Sequence, residues 1–307
     1  MYLPTLREIP LPHNFQMKSS IQDILRNHSR QLEGELNIDS SSARIEVQCL
    51  LQAVLQVNRA WLLSHPEQSL DAAQHAQYMA LLVRRLAGEP IAYLLEEREF
   101  YGLAFKVSPA TLIPRPETEL LVELALQRIP QQGNCRVLDL GTGSGAIALS
   151  IAHARPNAEI IAVDASHDAL KVALHNTHTH HLANVRLLVS DWFGALQGES
   201  FDVIISNPPY IAAGDVHLAQ GDVRFEPRDA LISGADGLDD IRLICTQAKA
   251  HLYPKGWLIF EHGYDQAAQA CALLQQAGFA EIFSARDLSE IERVSGGARL
   301  SEINSIV

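Results

Sequence analysis

A strand-like run, "CRVLDL" (residues 135–140), passes through "GTGSG" straight into the apolar helix "AIALSIAHA" (146–154). No stretch constrains the fold more. A strand that feeds a helix across a glycine turn sends the chain back over a sheet, and parallel strands need such crossovers. The rhythm then repeats. "AEIIAVD" precedes a helix from about Ser166, and "VRLLVSD", "FDVIIS", "GWLIFEHG", "FAEIFSARD" and a weaker "RVSGGARL" follow. These seven strands, alternating with helices, predict an α/β, mostly parallel sheet with helices on both faces. Such sheets bind ligands at the carboxyl ends of their strands, near the point where strand order reverses. Asp139, the glycine loop, Asp164, Asp191 and Asn207 all fall where a predicted strand ends.

Ahead of this rhythm the pattern is helical. "IQDILRNHSRQL" sets Ile21, Ile24, Leu25 and His28 on one side, and "ARIEVQCLLQAVLQV" and "DAAQHAQYMALLVRRLAG" repeat the spacing. Asp71 suits an N-cap, and Gly88 a stop before Pro90. "EFYGLAFKVS" (99–108) reads as a hairpin turning near Gly102, and a helix is expected after Pro116, its first turn acidic at Glu117 and Glu119. The expected organisation is an irregular extension over 1–19, a helical domain over 20–88, a β-hairpin linker over 89–113 and the α/β domain over 114–307. Composition supports folded domains: 47% of the 307 residues are hydrophobic and 20% charged. A formal net charge of −12 disfavours broad binding to phosphate backbones. The four cysteines form no CxxC pair, which suits a reducing compartment. With no membrane-length apolar run and no apolar core for a signal peptide, a cytoplasmic protein is expected. Met17 is an alternative start.

The chemistry begins at the loop. Gly141, Gly143 and Gly145 admit positive φ and close approach to the backbone, and the helix they open presents unpaired N–H groups. The spacing is not that of the full dinucleotide fingerprint. Asp164 ends its strand as an acid that grips ribose hydroxyls does. Asp191 can accept from an exocyclic amine, and Trp192 beside it offers an apolar face for adenine. A nucleoside-bearing ligand follows; spacing alone leaves NAD and S-adenosylmethionine both open.

"SNPPY" (206–210) separates them. A dehydrogenase has no evident use for Asn-Pro-Pro-Tyr at a strand end. A methyltransferase acting on a planar NH₂ does, because that nitrogen's lone pair is delocalised and both its N–H bonds need acceptors. The Asn207 side-chain oxygen is one and the Pro208 carbonyl, held by its ring, the other; Tyr210 can wall the flat group. Direct transfer from a sulfonium needs mainly approach and alignment. No metal and no obligatory general base is expected.

Together "VLDLGTGSGAIALSIA", "IIAVDAS", "SDWF" and "SNPPYI" resemble the class I S-adenosylmethionine-dependent methyltransferases, a Rossmann-like fold. With "GEPIAYLLEEREFYGLAFKVSPATLIPRPETELLVE", "FEPRDALISGADGLDDIRLI" and "IFEHGYDQ", the chain resembles the release factor glutamine methyltransferases (the PrmC/HemK family) from about residue 20 onward. The resemblance implies a protein substrate, the glutamine amide in the Gly-Gly-Gln motif of bacterial class I peptide-chain release factors, and S-adenosyl-L-methionine as donor. It assigns Gly141, Thr142, Gly143, Ser144 and Gly145 to the methionine end of that donor, Asp164 to its ribose and Trp192 to its adenine. Asn207 lies between donor and substrate, and Asn207, Pro208, Pro209 and Tyr210 hold the glutamine. Phe100 and "PRPETE" (114–119) join the substrate wall, and the helical domain and hairpin grip the release factor. A monomer that binds neither nucleic acid nor membrane is expected. The chain departs in two places: Glu96 stands where the family usually has glycine, and a positive φ there would strain an acid side chain, and the late "RDLSEIERVSGG" (286–297) matches the family only loosely.

Two other targets share the chemistry. A ribosomal protein's glutamine is disfavoured by "IPRPETE". An exocyclic amine of DNA or RNA is disfavoured by the acidic charge, since base extrusion calls for a basic groove. A silent donor-binding scaffold would not need Asn207 and Tyr210. Elsewhere, His175 and His178 of "HNTHTHH" read as a polar helix end rather than ligands, Glu261-His262 as a structural strand-end cluster, and Arg84 and Arg85 as a solvated helix face.

Overall fold

A computed structural model describes residues 19–301. The extension expected over 1–19, save Ser19, and the Met17 start lie outside the described residues. The chain divides into two units between Leu95 and Glu96.

The first unit is built from capped helices. α1 (Ile21–Leu36) starts at Ser20, whose hydroxyl accepts from the Asp23 amide. Asp39 caps α2 (Ser40–Leu55), and Asn58 caps the short α3 (Arg59–Ser64). Asp71 opens α4 (Ala72–Leu86) in a reciprocal box with Gln74. Each cap satisfies amides that the first helical turn leaves unpaired. The apolar stripe of α1 (Ile21, Ile24, Leu25, Leu32) is buried against Val47, Leu50 and Leu51 of α2 and Tyr78 and Leu82 of α4. His28 shares that stripe. Its Nδ1 lies 2.8 Å from the Tyr78 hydroxyl, and burial pushes its pKa down to about 4, so it serves as a neutral core group.

Arg85 corrects an expectation. It is 3% exposed, and its guanidinium clasps Glu46 at 2.7 and 3.1 Å, while Arg84 stays outside with Glu89. Tyr78, Leu82 and Arg85 lie four and three residues apart on one helical face, so Arg85 continues the buried stripe. A further helix, α5 (Ile91–Leu95), occupies sequence expected to lead into the hairpin. Glu96, directly after it, has φ 55°.

The second unit begins with a hairpin, β1 (Glu97–Phe100) and β2 (Leu103–Lys106). Tyr101 and Gly102 make its two-residue turn, both at positive φ (51° and 76°), as the twist of a tight hairpin demands. A single 3₁₀ turn, Pro116–Thr118, then leads into α6 (Glu119–Leu126). The alternating segment follows as read: β3 (Arg136–Leu140), α7 (Ala146–Ala154), β4 (Glu159–Asp164), α8 (His167–Thr179), β5 (Val185–Val189) and β6 (Phe201–Ser206). After a loop come α9 (Asp239–Ala248), β7 (Leu252–Glu261), α10 (Ala267–Gln276), β8 (Ala280–Arg286) and β9 (Glu292–Ala298).

The seven strands lie in the order β5-β4-β3-β6-β7-β9-β8, parallel except for β9, which runs antiparallel to both its neighbours. This is the fold of class I methyltransferases. Side chains alternate along β3: Val137 joins the layer under α6 and α7, while Leu138 and Leu140 join the layer under α9 and α10. Strand order reverses between β3 and β6. Their parallel register sets Leu140 beside Ser206, and the Ser206 hydroxyl donates to the Leu140 carbonyl at 2.9 Å. The glycine loop and "NPPY", far apart in sequence, therefore leave the sheet side by side at its switch point.

Candidate active site

A cavity of about 650 Å³ opens at this edge of the second unit. Gly141, Thr142, Gly143, Ser144, Asp164, Trp192, Asn207, Pro209 and Phe100 line it, and so do Arg115, Thr118 and Asp191. Pro208, Tyr210 and Gly145 are not among the residues that line it. Pro208 is buried, and Gly145 caps α7.

One corner is made by backbone. Gly141, Gly143 and Gly145 have φ of 71°, 57° and 85°, which explains their alternate spacing. A side chain at Gly145 would press on Leu149 at 3.1 Å and on Ala173, so glycine also lets α7 and α8 approach. Both oxygens of Asp164 accept backbone amides, Gly143 at 2.9 Å and Ser166 at 2.8 Å, which locks the loop to the end of β4. Asp139 lies wholly buried beneath. The Thr142 hydroxyl donates to it at 2.6 Å, yet burial still pushes its carboxyl up to about 7. The Trp192 ring stands over Gly141, 3.7 Å from where a β-carbon would sit.

The other corner is made by side chains. Asn207 sends its Nδ2 to the Thr118 hydroxyl at 3.3 Å, and its buried Oδ1 has no hydrogen-bond partner. Leaving a buried acceptor unpaired costs about 1–3 kcal/mol, so such an atom calls for an explanation. Tyr210 is held at both ends. Its hydroxyl donates to Glu261 Oε1 at 3.2 Å, and its carbonyl accepts from Gln266 Nε2 at 3.0 Å. Gly237 packs so closely that a β-carbon would lie 2.3 Å from that carbonyl, so no other residue fits there. Burial and the neighbouring Glu261 carboxylate push the Tyr210 phenol well above its ordinary value, which keeps it a neutral donor. Glu261 closes β7, is 2% exposed, and its pKa is raised by burial. Its neighbour His262 is fully buried, with Nδ1 2.9 Å from the Gly263 carbonyl and Nε2 2.9 Å from the Ser295 hydroxyl; burial lowers its pKa. With both nitrogens engaged and no exposure, His262 has no path to a reacting atom, in line with a structural role.

Glu226, which sequence reasoning left unassigned, ties the rim. It accepts from the Ile113 amide at 3.1 Å and binds the Arg115 guanidinium, so "FEPR" fastens "PRPETE" beside the cavity. Its carboxyl is raised by burial, which Arg115 opposes. Thr118, covered only as part of the "PRPETE" segment, and Gln266 were not singled out; their partners lie 89 and 56 residues away in sequence. The signal available was the company these residues keep inside "PRPETE" and "FEHGYDQ". Phe100 is 1% exposed and meets Phe105 edge-on, with ring centroids 6.2 Å apart, so the cavity reaches only its surface.

S-adenosylmethionine fits this donor set. The open face of Gly143 leaves the backbone bare, the indole over Gly141 offers an apolar plane, and Asp164 and Asp191 line the cavity with carboxylates. The unpartnered Asn207 oxygen is an acceptor awaiting a donor.

Comparison with known proteins agrees with the geometry. Residues 23–95 match the family model of the PrmC N-terminal domain, and residues 117–225 that of the methyltransferase small domain. The release factor glutamine methyltransferase of Xylella fastidiosa (strain Temecula1) is 50% identical over 254 residues, 83% of this chain and 92% of that protein. That of Burkholderia pseudomallei is 52% identical over 266 residues, 85% of this chain and 92% of that one. Among solved structures, a methyltransferase from Pyrococcus furiosus aligns over 71% of this chain and 98% of its own, with a TM-score of 0.51 and 18% identity, a likeness of fold alone.

Proposed function

The chain belongs to the release factor glutamine methyltransferases, and from that membership we propose the following reading of its reaction. It is an S-adenosylmethionine-dependent enzyme that methylates a glutamine side chain of peptide-chain release factors. The nitrogen modified is N5 of the amide in the Gly-Gly-Gln motif of the class I factors. The observation that chiefly supports this reading is Asn207, placed at the cavity with a buried side-chain oxygen that lacks a partner.

The glycine loop, with Thr142 and Ser144, holds the methionine end of the donor, Asp164 the ribose and Trp192 the adenine. When bound, the donor supplies a methyl group on a sulfonium, a good electrophile. Asn207 Oδ1 accepts one N–H of the glutamine amide and the Pro208 carbonyl the other, which fixes the NH₂ plane and aims the nitrogen. Pro209 and Tyr210 shape the slot, and Phe100 closes it from the side. The helical unit is the candidate docking surface for the factor. The chain acts as a monomer in the cytoplasm without nucleic acid; its net charge of −12 supports the last point. Among the described residues no helix is long and apolar enough to cross a membrane.

The test is direct. The protein is incubated with methyl-labelled S-adenosylmethionine and a purified release factor, either wild type or with the Gly-Gly-Gln glutamine replaced. Label on the wild-type factor alone is expected. Label on both factors, or on neither, overturns the reading.

A further inference from the structure

We propose that Asn176 is a positioning residue that couples two walls of the cavity. Its side-chain amide ties the glycine loop at Ser144 to strand β2 at Lys106, so that ordering one wall orders the other. This rests on the proposed reading, in which the glycine loop holds the donor and the hairpin side meets the release factor.

Asn176 lies on α8 and is 1% exposed. Its Oδ1 accepts from the Lys106 amide at 2.8 Å. Its Nδ2 donates to the Lys106 carbonyl at 3.0 Å and to the Ser144 carbonyl at 2.8 Å. The two hydrogens of one NH₂ are thus divided between the two walls. The hairpin has only two strands, so each strand has an edge without a strand partner. A side-chain amide offers one acceptor and one donor in a single plane, as a neighbouring peptide group does. Asn176 therefore stands in for a third strand at Lys106. His180, the C-cap of α8, adds a contact two residues earlier on β2, with Nε2 2.8 Å from the Ala104 carbonyl. Two residues of "HNTHTHH" thereby gain a role as a seat for the hairpin.

α8 comes this close to the loop beside Gly145. A β-carbon there would lie 3.4 Å from Ala173, one turn before Asn176. The loop takes its shape from its own residues; Asn176 adds a tie to a second structure. That structure leads into the cavity. β1 ends at Phe100, and β2 runs on toward Ala110, Thr111 and Leu112, all of which line it, as Ser144 does. The hairpin turn is held as well, since the Tyr101 amide donates to Glu119 Oε1 at 2.9 Å. Asn176 is thus the side chain that the loop and the approach to the opposite wall share. An aspartate there keeps the acceptor for the Lys106 amide and has no hydrogen for either carbonyl. A leucine leaves three backbone groups unpaired.

Two measurements test the coupling. In the wild-type protein, hydrogen exchange of the Lys106 amide is read by NMR with and without saturating S-adenosylhomocysteine. Protection should rise about tenfold, because a loop held by ligand holds Asn176 in place. Unchanged protection overturns the inference. Calorimetry then gives the affinity for S-adenosylhomocysteine with and without saturating release factor. The factor should tighten binding about tenfold in the wild type and in His180→Ala, which loses a contact with the hairpin and none with the loop. In Asn176→Asp the gain should fall below about twofold. A merely structural Asn176 would lower the melting temperature of Asn176→Asp and leave the gain unchanged, and that result overturns the inference. An equal loss of the gain in His180→Ala overturns it too. If Asn176→Asp does not fold, the exchange measurement decides alone. Failure of S-adenosylhomocysteine to bind the wild-type protein overturns the donor reading and this inference with it; binding without coupling overturns the inference alone.

Discussion

The two corners of the cavity are built by opposite means. After β3 the chain shapes itself: three glycines at positive φ and one strand-end acid define the loop, all within residues 139–166. After β6 four residues shape nothing alone. Asn207 depends on Thr118, and Tyr210 depends on Glu261, Gln266 and Gly237. A corner made of backbone is specified locally and, on the proposed reading, binds. A corner made of side chains is specified at a distance and, on the same reading, aims. The first should fail through affinity when altered, the second through turnover.

The sharpest separation comes from Asn207→Ala. Loss of a directing polar group at a reacting centre costs about 10³-fold in kcat, while donor affinity should hold within about threefold. Stopped-flow binding beside single-turnover transfer checks this, and a matching loss of affinity would erase the distinction between the corners.

Asp139 comes next, as the buried acid under the backbone corner. Burial pushes its carboxyl up to about 7, above its ordinary value of 3.8. The folded state therefore binds the proton more tightly, and stability falls as pH rises between those values, by on the order of 4 kcal/mol, and levels off above 7. Urea denaturation of the ligand-free protein from pH 5 to 8 should show that slope, and Asp139→Asn should remove Asp139's share of it. An unchanged slope in the variant would place the burden elsewhere.

Gly141→Val asks a branched side chain to take a φ of 71° beneath the Trp192 ring. Strain of about 2 kcal/mol should weaken donor binding roughly 30-fold. Calorimetry should register this with kcat at saturation little changed; a fall in kcat alone would contradict a purely binding corner.

Glu96→Gly gives the smallest effect and guards against overgeneralising from the loop. Glu96 holds φ 55° without being glycine, and it pairs with Lys106 at 3.2 Å. Relief of about 1 kcal/mol of strain is offset in part by glycine's greater freedom when unfolded, leaving a gain of about 0.5 kcal/mol. The melting temperature of the protein should rise by about 1–2 °C. A drop would mean that the Lys106 pairing outweighs the strain.

The same contrast explains what could be read from the sequence. The strands β3, β4 and β6 announce themselves as short buried runs, and the glycine spacing predicts a turn whose dihedral angles the loop adopts. Ser166 and Asp71 cap helices as their residue types suggest. Arg85 could not be read correctly, because burial of its charge depends on Glu46, which another helix supplies. The segment Ile91–Leu95 is too short for periodicity to distinguish helix from the approach to a hairpin. Thr118, Glu226 and Glu261 look like ordinary polar residues until the sheet brings them to their partners. Its chemistry points to Asn207 as an acceptor, and the structure leaves its Oδ1 buried without a partner, whereas its bond to Thr118 could not be read from the sequence.

The pairing of β3 with β6 carries a consequence for how such a chain can change. Between Leu140 and Ser206 the chain leaves the centre of the sheet, makes two further strands, and returns. The spacing of the two corners is set by hydrogen-bond register, whatever the length of that excursion. Insertions at the exposed turn positions 183 or 197–198 should therefore be tolerated, since lengthening a loop adds little closure entropy. A single deletion inside β6 is different: it slips the register by one, turns every side chain of the strand to the opposite face, and carries Asn207 away from the glycine loop.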